Sequence, residues 1–275
     1  MNSQQIFEQI IRKQSFLCIG LDSDVNKIPQ HLSKQKNSLF EFNKQIIDAT
    51  AKYCVSYKPN LAFYEVCGES GLQQLAMTVE YLKGNYPEIF VIADAKRGDI
   101  SNTSKMYAQA FFEKMNFDAI TLSPYMGEDT AKPFFSFDGK WIILLALTSN
   151  ASACDFQLLK TETGKMIYEE IIERSRNWGN VDNTMYVAGA TKAEMLEKIR
   201  KIIPQHFLLI PGIGAQGGNL EDVAKYGMND KCGIIVNSSR AIIYAYDSKN
   251  FATEACKKAK EMQQEMAALL SERII

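Results

Sequence analysis

The stretch Phe90-Val91-Ile92-Ala93-Asp94-Ala95-Lys96-Arg97-Gly98-Asp99-Ile100 begins as a short apolar run and ends with four charged residues within six positions. An apolar run bounded by turn residues predicts a buried strand, here Val91–Ala95. Side chains alternate along a strand, so we expect Asp94 and Lys96 on one face at its carboxyl end. Ionic groups in such a place are costly to desolvate unless they pair or take part in chemistry. The stretch therefore indicates both a buried sheet and a functional site.

Apolar runs of the same kind alternate with longer amphipathic segments along the chain. The predicted strands are Phe16–Gly20, Val55–Lys58, Val91–Ala95, Ala119–Leu122, Trp141–Leu147, Met185–Ala188, Phe207–Ile210 and Gly233–Asn237. The predicted helices between them are Leu39–Tyr53, Gly71–Asn85, Asn102–Lys114, Lys165–Trp178, Lys192–Lys201 and Leu220–Tyr226. Such alternation favours an α/β fold with a parallel sheet and helices outside it.

Eight strand–helix units in 275 residues fit a closed barrel better than an open doubly wound sheet. No linker rich in proline, serine or glycine divides the chain, so we expect a single-domain (β/α)8 TIM barrel over residues 1–275. An extra N-terminal helix, Gln4–Lys13, and a long C-terminal helix, Phe251–Glu272, are expected to cover its ends.

The barrel hypothesis brings the carboxyl ends of the strands to one face, where active sites of this fold lie. Polar or charged groups follow at least six of the predicted strands: Asp22, Lys58, the segment Asp94–Asp99, Thr148-Ser149-Asn150, the loop Pro211–Gly218 and Ser238-Ser239-Arg240. The charges of Lys58, Asp94, Lys96 and Asp99 alternate in sign, so each can keep its neighbour ionised. A lysine held in this way stays protonated at neutral pH and can act as a general acid.

The loops after the seventh and eighth strands form the usual phosphate site of this fold. Five glycines or alanines between Gly212 and Gly218 would let backbone N–H groups approach an anion closely. Gln216 can donate through its side-chain amide, and Arg240 offers a charged fork suited to phosphate. The two loops together predict a site for a phosphorylated ligand.

Composition narrows the class of protein further. The formal net charge of −1 and the mixed charges indicate neither nucleic-acid binding nor a polybasic membrane anchor. The six cysteines form no CxxC pair, which is typical of reduced thiols in a cytoplasmic protein. Neither of the two histidines has a neighbour at metal-ligand spacing, so we expect no metal site. The first residues lack the basic and apolar regions of a signal peptide, so we expect a cytoplasmic location.

Several motifs in order along the chain resemble the orotidine 5'-monophosphate decarboxylase family. They are Gly20-Leu21-Asp22, Tyr57-Lys58-Pro59-Asn60, Asp94-Ala95-Lys96-Arg97-Gly98-Asp99-Ile100 with Thr103, Pro211-Gly212-Ile213-Gly214-Ala215-Gln216-Gly217-Gly218, and Arg240. The longer loops around Ser123–Asp129 and Thr148–Asn150 are similar to the larger bacterial branch of that family. The resemblance implies decarboxylation of orotidine 5'-monophosphate (OMP) to uridine 5'-monophosphate (UMP) without a cofactor or metal.

The resemblance also implies the roles of the charged residues. Lys96 would give a proton to C6 of the pyrimidine as carbon dioxide leaves, and Asp94 would lie against the substrate carboxylate. Lys58 and Asp99 would hold this pair in place. Asp99, Ile100 and Thr103 would reach into the site of a partner chain, which implies a homodimer.

The remaining substrate contacts that the resemblance implies lie in the loops. Asp22, with Lys58, would lie near the ribose hydroxyls, and Ser149 would contact the amide edge of the pyrimidine. Gln216 and Arg240 would bind the phosphate, together with Gly217.

Two other interpretations stay open at this point. One is a sugar-phosphate decarboxylase of the same barrel superfamily, such as 3-keto-L-gulonate 6-phosphate decarboxylase, which would use a magnesium ion held by carboxylates. The other is a non-catalytic barrel that binds a phosphorylated ligand as a sensor. The Arg97-Gly98 pair and the Gln216-Gly217-Gly218 loop favour the nucleotide enzyme over the first of these.

Overall fold

The computed structural model describes residues 1–189, 193–213, 218–246 and 248–274. Within these residues, eight parallel strands pair in chain order and β1 also pairs with β8, which closes a barrel. The strands are β1 Leu17–Leu21, β2 Ser56–Pro59, β3 Phe90–Arg97, β4 Ala119–Leu122, β5 Trp141–Leu147, β6 Thr184–Ala188, β7 Leu208–Pro211 and β8 Ile234–Ser238. The predicted TIM barrel is confirmed. Each strand begins within one residue of its predicted start, and only β3 ends two residues beyond its predicted end.

Helices surround the barrel and extend it at both ends of the chain. They are α1 Ser3–Lys13, α2 Gln30–Ser33, α3 Ser38–Thr50, α4 Ala62–Glu65, α5 Gly68–Asn85, α6 Ser101–Ala108, α7 Ile167–Ser175, α8 Ala193–Ile202, α9 Leu220–Gly227, α10 Arg240–Ile243 and α11 Phe251–Arg273. A π-helix, Gln109–Lys114, continues α6, and Lys192, the predicted first residue of α8, lies outside the described residues. Short 3-10 helices occupy Val25–Lys27, Ala51–Tyr53, Glu128–Thr130, Lys132–Ser136 and Ala151–Asp155. In the part of the chain that the structure describes, no helix has the length and apolar character needed to cross a bilayer.

Most of the strands are apolar, because helices cover the sheet on its outer face and the barrel interior covers the other. Every residue of β1, β4, β6 and β8 is buried, as expected for a parallel sheet enclosed by helices. At the amino ends of β3 and β5, the rings of Phe90 and Trp141 meet edge to face with their centroids 6.0 Å apart. The apolar core therefore fills the barrel up to the carboxyl ends of the strands, where the polar residues begin.

The amino end of the barrel is held by a half-buried arginine and by the start of the chain. Arg200, near the end of α8, donates to the carbonyl oxygens of Gly227 at 2.6 Å, His206 at 2.6 Å and Gly233 at 2.5 Å. Gly227 ends α9, His206 lies just before β7 and Gly233 just before β8, so one side chain ties α9 to the starts of two neighbouring strands. At the start of α1, the carbonyl of Met1 accepts the indole N–H of Trp141 at 2.7 Å.

Strand β3 departs from regular pairing near its carboxyl end. It advances from Ala93 to Arg97 while β4 advances only from Ile120 to Leu122, so β3 bulges. Within the bulge Lys96 takes the left-handed backbone conformation, with φ +47°. Bulges commonly occur beside active sites, where they redirect a side chain.

Candidate active site

Three of the predicted catalytic side chains meet at the carboxyl ends of β2 and β3. Asp94 uses one carboxylate oxygen for each lysine: Oδ2 lies 2.8 Å from Nζ of Lys58, and Oδ1 lies 2.5 Å from Nζ of Lys96. Lys58 and Asp94 are buried, whereas the side chain of Lys96 is 50% exposed. The expectation that Asp94 and Lys96 lie together is therefore confirmed, and Lys58 completes a row of three alternating charges.

The charges of this row keep its buried members ionised. Burial by itself raises the pKa of Asp94, but Lys58 and Lys96 outweigh it and lower that pKa to about 2. Burial also lowers the pKa of Lys58, and the carboxylates of Asp94 and Asp22 reverse this effect, so its pKa is raised. The centre thus holds a carboxylate between two ammonium groups, and the exposed one is available to a ligand.

The depressed pKa of Asp94 predicts how stability depends on pH. The pKa of Asp94 in the folded protein, about 2, lies below its ordinary value of 3.8. Ionised Asp94 therefore stabilises the fold at pH values above 3.8, and this stabilisation is lost as the pH falls towards 2. The full contribution is about 2 kcal/mol. In urea unfolding, we expect the stability advantage of the wild type over Asp94→Asn to shrink by about 1 kcal/mol between pH 6 and pH 3. An advantage that stayed constant or grew would contradict the assigned pKa.

A cavity of about 300 Å³ opens beside the charged centre. Its described lining is charged at Lys58, Asp94 and Lys96, hydroxyl-bearing at Thr121, apolar at Leu145, Val187, Leu209 and Pro211, and polar at Thr148, Ser149 and Asn150. A few polar groups facing an apolar wall are typical of a site for a small ligand, and the volume is at the lower end of the usual range. Ser149, predicted to contact the pyrimidine, thus shares a cavity with the charged centre.

The segment that carries Ser149 packs closely against the end of β6. Gly189 makes this approach possible, because a Cβ atom at that position would lie 2.8 Å from the backbone nitrogen of Ser149 and 2.9 Å from its Cα. Real Cβ atoms do not come so near to backbone. The position of Ser149 therefore depends on the absence of a side chain at Gly189.

Asp22 lies in the loop after β1, the neighbour of the strand β2 that carries Lys58. Its charge acts on Lys58, and its Oδ1 is buried with no hydrogen-bond partner among the described residues. Tyr244, which follows α10, holds this loop: its hydroxyl donates to the carbonyl of Asp22 at 3.0 Å and accepts the N–H of Asp24 at 2.7 Å. The loop after β1 is thereby tied to the segment that begins with Arg240.

The predicted phosphate site is described in part. Arg240 is exposed and begins α10 directly after β8, while Gln216 and Gly217 lie outside the described residues. The two ends of their loop are described: Ile213 bridges Gly218. Because β7 and β8 are neighbours in the barrel, this loop and Arg240 leave the same edge of the sheet.

Asp99, Ile100 and Thr103 do not line the described part of the cavity. Asp99 is half-buried and accepts the N–H of Ile100 at 2.8 Å, and Ile100 and Thr103 are exposed. These residues therefore follow β3 and lie outside the described lining of their own chain's cavity.

Sequence reasoning missed Thr121 and the apolar wall of the cavity. Thr121 is a single hydroxyl residue within the buried strand β4, and this was the available signal, because a buried hydroxyl needs a partner. Leu145, Val187 and Leu209 gave no such signal, since apolar residues fill barrel strands whether or not they face a ligand.

Comparison with known proteins identifies the family. The model of the orotidine 5'-phosphate decarboxylase / HUMPS family matches residues 15–255. The chain belongs to this family. An orotidine 5'-phosphate decarboxylase of Christiangramia forsetii is 60% identical over 270 residues, which cover 98% of this chain and 99% of that protein. One of Phocaeicola vulgatus is 58% identical, with the same coverage of both chains.

Membership of this family agrees with the architecture. The solved structure of Leishmania donovani OMP decarboxylase superposes with a TM-score of 0.79 at 32% identity, over 96% of this chain and all of that chain. The match to members of the orotidine 5'-phosphate decarboxylase / HUMPS family thus extends over nearly the whole barrel, including the strands that carry the charged row.

Proposed function

We propose that this protein decarboxylates OMP to UMP. The observation that carries the proposal is the Asp94 carboxylate shared between Lys58 and Lys96 at the wall of a cavity of about 300 Å³, in a chain that belongs to the family. In the reaction the bond between C6 and the carboxylate carbon breaks and carbon dioxide leaves. The electron pair stays on C6 and takes the proton that Lys96 delivers.

The charged row supplies the electrostatics of this step. Asp94 lies beside the substrate carboxylate, and two such charges ~4 Å apart repel by roughly 1–4 kcal/mol, depending on the effective dielectric. This repulsion disappears as neutral carbon dioxide forms, while the attraction of the Lys96 ammonium for the growing negative charge on C6 increases. Interactions that strengthen only towards the transition state accelerate the chemical step. Lys58, bonded to the other oxygen of Asp94, keeps that carboxylate ionised and in place.

The rest of the nucleotide is bound around this centre. The buried Oδ1 of Asp22, which has no partner in the described part of the chain, accepts a hydrogen bond from a ribose hydroxyl. The ammonium of Lys58 donates a hydrogen bond to a ribose hydroxyl. Ser149 contacts the amide edge of the pyrimidine. Arg240 binds the phosphate, with Gln216 and Gly217 of the neighbouring loop. Phosphate binding far from C6 can contribute to turnover by holding the loops closed.

The placement of Ser149 predicts the effect of a side chain at Gly189. Gly189→Ala is expected to raise the KM for OMP about tenfold, because overpacking of this size displaces neighbouring backbone. Gly84→Ala is a matched control: Gly84 lies in α5, and a Cβ there would have no heavy atom within 4 Å. The control should leave KM unchanged and gain up to about 1 kcal/mol of stability. Equal KM values in steady-state assays of both variants would contradict the role of Ser149.

We also propose that the protein works as a homodimer in which Asp99, Ile100 and Thr103 complete the partner's site. Two observations support this. These residues follow β3 and lie outside the described lining of their own cavity. The adjoining surface of α6 is partly apolar, since Ile100 is 42% exposed and Met106 is 49% exposed.

One domain and a cytoplasmic location complete the proposal. Support for one domain over residues 1–275 comes from an apolar core that extends from Ile6 to Leu270. Support for the cytoplasm comes from the cysteines, all of which are free, and three of which are buried in the barrel region at Cys18, Cys54 and Cys232.

The test is the loss of orotate absorbance when the purified protein is mixed with OMP in excess chelator. We expect turnover to persist, because a lysine ammonium supplies the proton and no group of three or more metal-ligating side chains lies together among the described residues. Activity that depends on added magnesium would support the sugar-phosphate decarboxylase interpretation. Nucleotide binding without release of carbon dioxide would support the sensor interpretation.

A further inference from the structure

The hydroxyl of Thr121 contacts both Asp94 and Lys96. Thr121 lies in β4 and is 1% exposed. Its Oγ1 accepts the backbone N–H of Lys96 at 2.9 Å and donates to Oδ1 of Asp94 at 3.1 Å. The same Oδ1 atom bonds the Lys96 ammonium at 2.5 Å. One buried hydroxyl thus closes a ring of hydrogen bonds through the backbone of Lys96, its side chain and the carboxylate.

The bulge in β3 explains why this hydroxyl is needed. Because β3 advances further than β4 between their paired positions, the N–H of Lys96 bonds to the Thr121 side chain and not to a β4 carbonyl. A hydroxyl carries one hydrogen and two lone pairs, so it can accept from that N–H and donate to Asp94 at the same time. An apolar side chain would leave the backbone N–H of Lys96 without its partner, at a position whose φ of +47° is already unfavourable for lysine.

We propose that Thr121 is a positioning residue that aims the Lys96 ammonium. It holds the left-handed backbone of Lys96 and the orientation of the Asp94 carboxylate, and through both it fixes where Nζ of Lys96 lies in the cavity. The inference rests on the proposed decarboxylase function. Without the hydroxyl, Lys96 keeps its charge and its ion pair with Asp94, but its ammonium is less well placed to protonate C6. Misplacement of a reacting group costs rate more than affinity.

The experiment compares Thr121→Val, which removes the hydroxyl at constant shape, with Thr121→Ser, which keeps it. For Thr121→Val we expect kcat to fall about 10- to 100-fold, the size expected for lost hydrogen bonds to charged groups. The KM for OMP and the dissociation constant for UMP should change less than about threefold, because the ribose and phosphate contacts remain. Thr121→Ser should recover kcat to within about threefold of the wild type.

A matched control addresses loss of stability alone. Thr184→Val removes a buried hydroxyl from the amino end of β6, where Oγ1 donates to Oδ1 of Asn183 at 3.0 Å, and it should leave kcat unchanged. If Thr121→Val does not fold, the pair Thr121→Ser and Thr121→Cys makes the same comparison, because the two differ in one atom and a thiol is a poor hydrogen-bond partner. Thermal unfolding of every variant accompanies the kinetics.

The outcomes separate the two proposals. A wild-type protein without turnover would overturn the proposed function. With an active wild type, kcat of Thr121→Val within threefold of normal would overturn the role of Thr121, as would a Thr121→Ser variant as slow as Thr121→Val. A purely structural role would lower Tm in the control and in Thr121→Val alike without the selective loss of kcat.

Discussion

Lys96→Ala is expected to lower kcat by at least about 10⁴-fold, because it removes both the proton donor and the positive charge that faces C6 in the transition state. Binding of UMP should stay within about tenfold of the wild type, since the ribose, pyrimidine and phosphate contacts come from other loops. Decarboxylation is followed by orotate absorbance, and binding of UMP by calorimetry.

Lys260→Ala is the control for this variant. Lys260 is an exposed lysine on α11, on the outer surface of the barrel, so its removal should change neither kcat nor binding. Residual activity of Lys96→Ala above about one per cent would contradict the assignment of Lys96 as the proton donor. Equal losses of UMP affinity and kcat would instead mean that Lys96 serves binding rather than the chemical step.

Mixing two inactive variants is expected to restore activity if the site is shared between subunits. Asp99→Ala and Lys96→Ala should each be nearly inactive alone. In a mixed dimer, one site combines an intact Lys58–Asp94–Lys96 row with an intact Asp99 from the other chain. Random exchange makes half of the dimers mixed, and each has one intact site of two, so about a quarter of wild-type activity should return.

The control mixture is Asp94→Ala with Lys96→Ala. Asp94 and Lys96 lie in contact within one chain, at 2.5 Å, so no combination of these subunits rebuilds an intact row and no activity should return. The subunits of each mixture are allowed to exchange at low protein concentration, and decarboxylase activity is followed with time. Failure of Asp99→Ala and Lys96→Ala to complement, with exchange shown by a mass-tagged subunit, would refute the shared site.

Much of this architecture could be predicted from the sequence because most of the strands are apolar runs buried on both faces. A fully covered parallel strand appears as a continuous apolar run, and the strand starts are accordingly correct to one residue. The contact of Lys58, Asp94 and Lys96 was predictable for a related reason. Charges at the ends of adjacent buried strands have few partners other than one another.

Other features depend on relations that no single segment encodes. The bulge in β3 appears only when β3 is paired with β4, so neither contact of the Thr121 hydroxyl could be predicted from the sequence. Gly189 resembles any glycine after a strand until Ser149 is placed against it. The loop with Gln216 and Gly217, and the predicted contacts of Asp99 with a second chain, stay predictions.

Arg200, at the amino end of the barrel, implies that mutations at the two ends of the barrel have different effects. Arg200 donates to the carbonyls of Gly227, His206 and Gly233 on the face opposite the charged row, and burial leaves those carbonyls with no ready substitute donor. Damage there should reduce the yield of folded enzyme while the molecules that do fold keep normal specific activity. Damage at the opposite face should do the reverse. Mutations at the amino end should therefore lower the amount of folded protein, and mutations at the carboxyl end should lower its catalytic activity. Measuring activity per folded molecule distinguishes the two.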